Sequence, residues 1–465
     1  MLTADFIASS TEGKILSCTA CGFSGVSIDS RTAVDGELFI PLCGDRFDGH
    51  DFLQNALKSA SGALVSRSYA DKAGFDFKGK TIIVVEDTLR ALHDLAHARR
   101  AAFSGAVVAV VGSNGKTTTK EITSAVLSSQ FRVHRTAGNF NNHIGLPLTI
   151  LRMPDSTEAL VLEMGTNRPG DINELCSIAL PDTAVITNIG FEHIEGFGTI
   201  NKVRESELEI MPFIKTAIYN ADDSFLAEGV LARPAKKMFS YGIEAQSSDI
   251  RAADLIFNHE GIRFRLVFGA DSIDVRTKLP GRFNVYNCLA GSAAGIALGL
   301  SLHEIKHELE KFEGVPMRCR IVELAGATFI DDVYNANPSS MTEALRELSR
   351  RSDQMTTPAQ RRRTVAVLGD MLELGYYGVE AHKNIGQLMN ELGVELFVAV
   401  GPLMELAAEV FTGRSIIADT AEHAAEILKN ELKQGDVVLL KGSRSMKMEM
   451  VLESPIIKEE AKNAI

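Results

Sequence analysis

The stretch Ala106-Val-Val-Ala-Val-Val-Gly-Ser-Asn-Gly-Lys-Thr-Thr-Thr119 decides how this chain is read. Six apolar residues predict a buried strand, and the helix-like pattern of Thr117–Gln130 follows a glycine-bearing turn. Glycines let backbone N–H groups turn inward, and a helix that starts there points its positive end at the same spot, which is what a phosphate needs. Gly112, Ser113, Asn114, Gly115, Lys116, Thr117 and Thr118 are therefore the candidate phosphate loop. Lys116 supplies a point charge and Thr117 a hydroxyl suited to Mg²⁺. The motif is not the full G-x-x-x-x-G-K-[ST], because Val110 stands at its first glycine position.

Working outward, strand-like runs at Leu160–Glu163, Ala184–Thr187 and Ala217–Asn220 alternate with helical patterns, which predicts a parallel sheet. Alternation over Leu255–Thr277 predicts antiparallel hairpins, and two helices follow, to about Leu300 and Phe312. Past Gly314-Val-Pro316 the strand–helix rhythm restarts with Thr328–Asp331, Thr364–Leu368, Leu396–Val400 and Val437–Leu440. Ser352–Arg363 reads as an exposed basic loop. Before residue 105 there are short apolar runs, Glu37–Pro41 and Gly62–Val65, broken by turns. The expectation is an α/β protein of three domains with boundaries near 104 and 314.

The chain has 465 residues, 45% of them hydrophobic and 23% charged, ample for several cores. With 48 basic and 60 acidic residues the net charge is −12, which argues against general nucleic-acid or anionic-membrane binding. No run is long enough to span a bilayer, and the amino end lacks a signal-peptide pattern. Six cysteines over this length form no disulfide framework. A reduced, cytoplasmic protein is expected.

Two patterns invite a metal and are read otherwise. His303-Glu-Ile-Lys-His307 matches H-E-x-x-H, but Leu302, Ile305, Leu309 and Phe312 make the buried stripe of an amphipathic helix, leaving both histidines on its wetter sides. Cys18 and Cys21 lack a second pair at zinc spacing. By contrast Glu163, His193 and the pair Asp331-Asp332 close apolar strands, where an α/β sheet binds its ligands.

Gly112–Thr118, Gly138-Asn-Phe-Asn-Asn-His-Ile-Gly-Leu-Pro147, Glu163-Met-Gly165, Asn188-Ile-Gly-Phe-Glu-His193 and Asp331-Asp-Val-Tyr-Asn-Ala-Asn-Pro338 together resemble the Mur ligases, ATP-dependent amide-bond ligases of peptidoglycan synthesis. The last motif, with Leu368-Gly-Asp-Met-Leu-Glu-Leu-Gly375 and Leu440-Lys-Gly-Ser-Arg444, narrows the resemblance to the member that adds D-alanyl-D-alanine to a UDP-N-acetylmuramoyl-tripeptide. Asp29-Ser-Arg31 and Phe47-Asp-Gly-His-Asp-Phe52 extend it to the amino end. The resemblance implies a UDP-muramoyl-substrate domain (1–104), a central P-loop ATPase-like parallel sheet with a small antiparallel addition (105–314) and a Rossmann-like C-terminal domain (315–465). It also implies a monomer using ATP and Mg²⁺, with no nucleic-acid partner and no membrane insertion. The third residue of the tripeptide, diaminopimelate or lysine, stays open.

Residue by residue, the resemblance implies that Lys116 meets the β/γ-phosphates and that Thr117 and Glu163 hold a first Mg²⁺. His193 would help hold a second. Asn287 is expected beside adenine, Arg318 near the phosphates, Asp332 near the ribose, Ser30, Arg31, Asn139 and Asn142 on the UDP-substrate, and Tyr334, Asn335 and Asn337 on the dipeptide side. Two departures, Phe283 for a family histidine and Glu192 for a small residue, are expected to affect only packing of the nucleotide pocket. The family's carbamylated lysine position, about fourteen residues past the histidine, falls on Glu207 in Val203-Arg-Glu-Ser-Glu-Leu-Glu-Ile210. A permanent carboxylate there would replace the carbamate at the second Mg²⁺, with Glu205 the alternative if the register slips. Rival readings are another Mur ligase, a folylpolyglutamate synthase, or a non-catalytic nucleotide-binding protein.

Overall fold

The structure, a computed structural model, describes residues 2–44, 47–72, 79–353 and 361–454. Residues 354–360 of the basic stretch lie outside it. Besides a short antiparallel pair, Leu2–Thr3 with Gly22–Phe23, three large sheets follow one another along the chain, their central strands Val-, Ile- and Ala-rich runs buried on both faces, as parallel strands covered by helices must be.

The first sheet has five strands in the order Lys14–Ser17, Thr81–Val85, Gly62–Ser66, Glu37–Phe39, Gly25–Ser27, all parallel except the edge strand Lys14–Ser17. The second has nine, in the order Asp271–Thr277, Gly261–Phe268, Ile250–Asn258, Lys237–Gly242, Thr216–Asn220, Thr183–Ile186, Ala106–Val111, Ala159–Glu163, Val133–Arg135. Pairing is parallel from Val133–Arg135 to Ile250–Asn258 and antiparallel in the two strands beyond. The alternation of Gly261–Phe268 explains that edge: one face packs on the helices Arg282–Ala297 and Leu302–Lys311, and the other is wet.

The third sheet has six strands, in the order Arg320–Leu324, Ala327–Asp332, Val437–Lys441, Thr364–Gly369, Leu396–Val400, Arg414–Ala418. Only the edge strand Arg320–Leu324 is antiparallel. It and Arg414–Ala418 were not anticipated, because exposed edge strands alternate with polar residues and lack a continuous apolar run.

The helix Leu302–Lys311 buries Ile305 and Leu309, exposes His303 and His307, and starts with a Ser301/Glu304 capping box. Glu304 is therefore spent on the helix start. Cys18 and Cys21 are exposed free thiols.

One buried charge marks the end of Ala327–Asp332. Burial, with Asp332 beside it, pushes the Asp331 carboxyl from its ordinary 3.8 up to about 6, and its Oδ1 has no hydrogen-bond partner. The folded protein keeps this proton to about pH 6, whereas the unfolded chain loses it near pH 4. Asp331 thus costs stability increasingly as pH rises through that window. Asp331→Asn should raise Tm by roughly 2–4 °C at pH 8, about 1 kcal/mol after allowing for water near the group, and by much less at pH 4. Thermal melts of both proteins at the two pH values check this.

Candidate active site

Ala106–Val111 lies between Ala159–Glu163 and Thr183–Ile186, so the phosphate loop, Glu163 and the Thr187–His193 loop all leave the sheet at one end. That crevice, beyond the carboxyl ends of parallel strands on either side of a crossover, is where such sheets bind ligands. Gly112 has φ +113°, and a Cβ on it would sit 2.3 Å from Thr187 Oγ1. Gly115 has φ +80°, and a Cβ there would sit 2.5 Å from Asn287 Oδ1. Both positions thus require glycine sterically and conformationally. From Gly115 the helix Lys116–Leu127 begins.

The Asn188 side chain holds the loop from the adjacent strand end, accepting from Asn114 N at 3.0 Å and donating to Asn114 O at 3.0 Å. Ser113 Oγ accepts from Gly190 N at 2.8 Å. Lys116 is folded back into the loop, donating to Gly112 O at 2.5 Å and Ser113 O at 3.1 Å. It also lies 3.3 Å from both Glu192 oxygens. The side chain is largely covered, so it packs within the loop as well as carrying charge. Burial alone would lower its pKa, but Glu192, Glu207 and Glu163 outweigh that and raise it.

Glu192 therefore does more than adjust packing. It is the carboxylate closest to the phosphate-loop lysine, and burial pushes it up to about 8 against the pull of Lys116. The other departure, Phe283, packs against the core of the third sheet.

Glu207 ends the helix Ile200–Glu207 and is fully buried. Its Oε2 accepts from Gly112 N at 2.8 Å, while Oε1 has no donor of its own and neighbours Glu192. Two adjacent buried carboxyls are stable only if one keeps a proton or a cation arrives. Glu205 faces away, ion-paired with Arg233, and Glu209 accepts from Gly170 N and Asn173 N, so Glu207 is the inward carboxylate of this helix.

Glu163 is buried, with Oε1 accepting from Asn141 Nδ2 at 2.9 Å and Oε2 unpartnered. Lys120, wholly buried on the phosphate-loop helix, lies 3.9 Å from that oxygen. Thr117 Oγ1 accepts from Arg318 Nη2 at 3.2 Å, and the Arg318 guanidinium stacks 3.6 Å from the centre of the Tyr334 ring. His193 feels the charge of Lys116, and its Nδ1 is paired with Glu373 from the third sheet.

The hard oxygens of Thr117, Glu163 and Glu207, two of them orphaned and buried, suit Mg²⁺ by chemistry. Glu163, His193 and Glu207 do not converge on one point, however. Among the described residues the acid/His/Cys group with ligand atoms within 4.8 Å of one another is Cys43, Asp48 and His50. There His50 Nε2 accepts from Ser66 N at 3.0 Å, so its proton sits on Nδ1, 2.6 Å from Asp48 Oδ1. The ring has no lone pair left for a metal.

Asn287 lies beneath Gly115, accepting from Thr119 Oγ1 at 3.1 Å. Asp332 is tied to Lys441 Nζ at 2.6 Å and to Cys319 N at 3.0 Å. Asn337 caps the helix Pro338–Ser352 and donates to Asn114 Oδ1 at 2.8 Å, so it also clasps the phosphate loop. Asn335 accepts Lys441 Nζ at its carbonyl oxygen, 2.8 Å away, and Tyr334 lies under Arg318. Ser30 and Arg31 stand in the first sheet's loops, Arg31 bonded to Asp29 at 2.7 Å. The helix Gly145–Leu151 packs on Gly25–Ser27, and His93 bonds His143 O at 2.6 Å, so the Asn139–Asn142 loop borders that unit. Asn142 itself caps this helix through Gly145 N at 2.9 Å.

Lys120, Asn141, Glu192, Glu373 and Lys441 escaped the sequence reading as site residues. Asn141, Glu192, Glu373 and Lys441 sit inside quoted motifs, but nothing local shows that they reach across the crevice.

Similarity to known proteins covers the whole chain. Models for the Mur ligase middle domain, the Mur ligase glutamate ligase domain and the Mur ligase family catalytic domain match residues 110–295, 317–444 and 22–100. The UDP-N-acetylmuramoyl-tripeptide–D-alanyl-D-alanine ligase of Bacillus subtilis (strain 168) is 36% identical over 450 residues, covering 93% of this chain and 94% of the relative. That of Escherichia coli (strain K12) is 34% identical over 437 residues, covering 92% and 93%. A crystal structure of MurF from Acinetobacter baumannii superposes with TM-score 0.87 at 31% identity, covering 98% of both chains. The MurF ligase of Thermotoga maritima in complex with ADP gives 0.82 at 31%, covering 95% and 98%. With family models matching along the chain and a phosphate loop clasped between the second and third sheets, this chain belongs to the Mur ligase family.

Proposed function

We propose that this chain is an ATP-dependent ligase that joins D-alanyl-D-alanine to UDP-N-acetylmuramoyl-tripeptide, giving the pentapeptide, ADP and phosphate for peptidoglycan synthesis. The peptide's terminal carboxylate attacks the γ-phosphorus of ATP, ADP leaves, and an acyl phosphate forms. The dipeptide amine then attacks the acyl carbon, loses a proton, and phosphate departs. A carboxylate approaching a triphosphate meets like charge, so cations must already be in place. The observation that carries the reading is Arg318 arriving on Thr117 from the segment of the third sheet. Mere nucleotide binding needs no such arrangement, whereas a two-step transfer benefits from a site that completes only when domains meet.

In this reading segments 1–104, 105–314 and 315–465 are the UDP-substrate, ATP and acceptor domains. Lys116 and Arg318 neutralise phosphate charge. Gly112 to Thr118 cradle the phosphates, Asn287 borders the adenine and Asp332 the ribose. Thr117, Glu163, His193 and Glu207 are the residues that would hold Mg²⁺, which supplies charge neutralisation. Ser30, Arg31, Asn139 and Asn142 face the UDP-substrate, and Tyr334, Asn335 and Asn337 the dipeptide. The enzyme works as a cytoplasmic monomer, and no described helix is long and apolar enough to cross a membrane.

Phosphate release should require ATP, UDP-muramoyl-tripeptide and D-alanyl-D-alanine together, and diaminopimelate and lysine tripeptides assayed side by side identify the third residue. Release with a single amino acid or glutamate in place of the dipeptide would favour a sibling ligase, and no release with any acceptor would leave a nucleotide-binding protein.

A further inference from the structure

The loop after Thr364–Gly369 crosses to the second sheet at a single place. Glu373 O accepts from Glu195 N at 3.1 Å, Tyr376 Oη donates to Gly198 O at 3.4 Å, and the Tyr377 and Phe191 rings meet edge to face at 5.6 Å. Leu374 anchors the loop in the third core, and Leu372 N donates to Ser443 Oγ at 2.8 Å. At the centre the Glu373 carboxylate is paired with His193 Nδ1. Both residues have left-handed backbones, φ +63° for Glu373 and +49° for His193. A non-glycine residue in that region costs on the order of 1 kcal/mol and persists only where its surroundings impose it. Two such residues facing each other across a domain junction make this contact a constraint of the fold.

We infer that Glu373 is a positioning residue for His193: its carboxylate accepts a hydrogen bond from Nδ1–H and fixes the ring in the tautomer that leaves the free lone pair on Nε2. This rests on the reading of His193 as a metal ligand. Ligating histidines typically give their other N–H to a carboxylate, which sets tautomer and ring orientation. Here the carboxylate comes from another domain. The histidine is therefore oriented only while the third sheet is docked, and loss of docking frees both the ring and the metal.

The test uses the full chain, Mn²⁺ in place of Mg²⁺, and a non-hydrolysable ATP analogue. Paramagnetic resonance measures Mn²⁺ affinity in the complex, and nitrogen NMR of histidine-labelled protein reports the His193 tautomer. Glu373→Ala should weaken Mn²⁺ about 10-fold, raise the Mg²⁺ requirement of ligation by a similar factor, and mix the tautomers. Glu373→Gln, which keeps an acceptor oxygen, should recover much of each. His193→Ala is the control: if it leaves Mn²⁺ affinity unchanged, the metal-ligand reading itself fails. If His193→Ala weakens Mn²⁺ while Glu373→Ala leaves affinity and tautomer as they were, the positioning role alone is overturned.

Discussion

Lys116→Ala is expected to reduce ligation about 10³-fold, the upper end of what removing a central transition-state hydrogen-bond donor costs. The lysine is the positive group of the phosphate loop and stands among Glu163, Glu192 and Glu207. Its loss removes the cation closest to Glu192 and leaves, among the described residues, only Lys120 and Arg318 near Glu163, so the repulsion that catalysis must overcome grows. The variant should also melt earlier than the parent, because a buried carboxylate pair loses its cation and Gly112 O and Ser113 O lose a donor. Lys116→Met, similar in length but uncharged, separates packing from charge. Initial rates of phosphate release, with ADP affinity and Tm on the same preparations, make the comparison. A folded Lys116→Ala enzyme that ligates near the parental rate would remove the phosphate-site assignment.

Glu207→Gln should lower activity about 10²-fold, with the loss deepest at low Mg²⁺. The amide can still accept from Gly112 N, so the loop stays in place, but the orphaned Oε1 becomes a neutral group beside Glu192. The structure sharpens what a lysine here would need. Glu207 is wholly buried with Glu192 beside it, so a longer side chain there must displace its neighbour. Glu207→Lys alone should therefore stay nearly inactive, and bicarbonate should restore activity only when Glu192→Ala is added. Ligation rates across a magnesium series, with and without bicarbonate, decide the matter. Parental activity of Glu207→Gln at every magnesium concentration would remove its metal role.

These two predictions differ in how they arise. Lys116 was legible from its place after Gly115 at a strand–helix junction, and the strand–helix rhythm around it, restarting after Gly314, gave the second and third sheets, whereas the first showed only as short apolar runs. Continuous apolar runs such as Ala106–Val111 have one stable solution, burial between helix layers, so composition and period suffice. The exposed placing of His303 and His307 was equally legible, since the stripe containing Ile305 and Leu309 shows which face is dry. The edge strands Arg320–Leu324 and Arg414–Ala418 escaped because an exposed strand without a hairpin partner pattern looks like a loop in polarity.

The tertiary structure alone decided who faces whom. Glu192 reads as a turn residue, yet it meets Lys116, 76 residues away, and Glu207 from a different helix. Asn337 reads as a substrate contact and is used to start a helix and hold Asn114. Glu373 meets His193 only because Leu374 fixes its loop to the third core. Secondary structure follows from interactions within a few residues, which the order of side chains specifies directly. A site assembled across three sheets depends on pair distances set by packing of whole layers, and a shift of a few ångströms exchanges an ion pair for solvent.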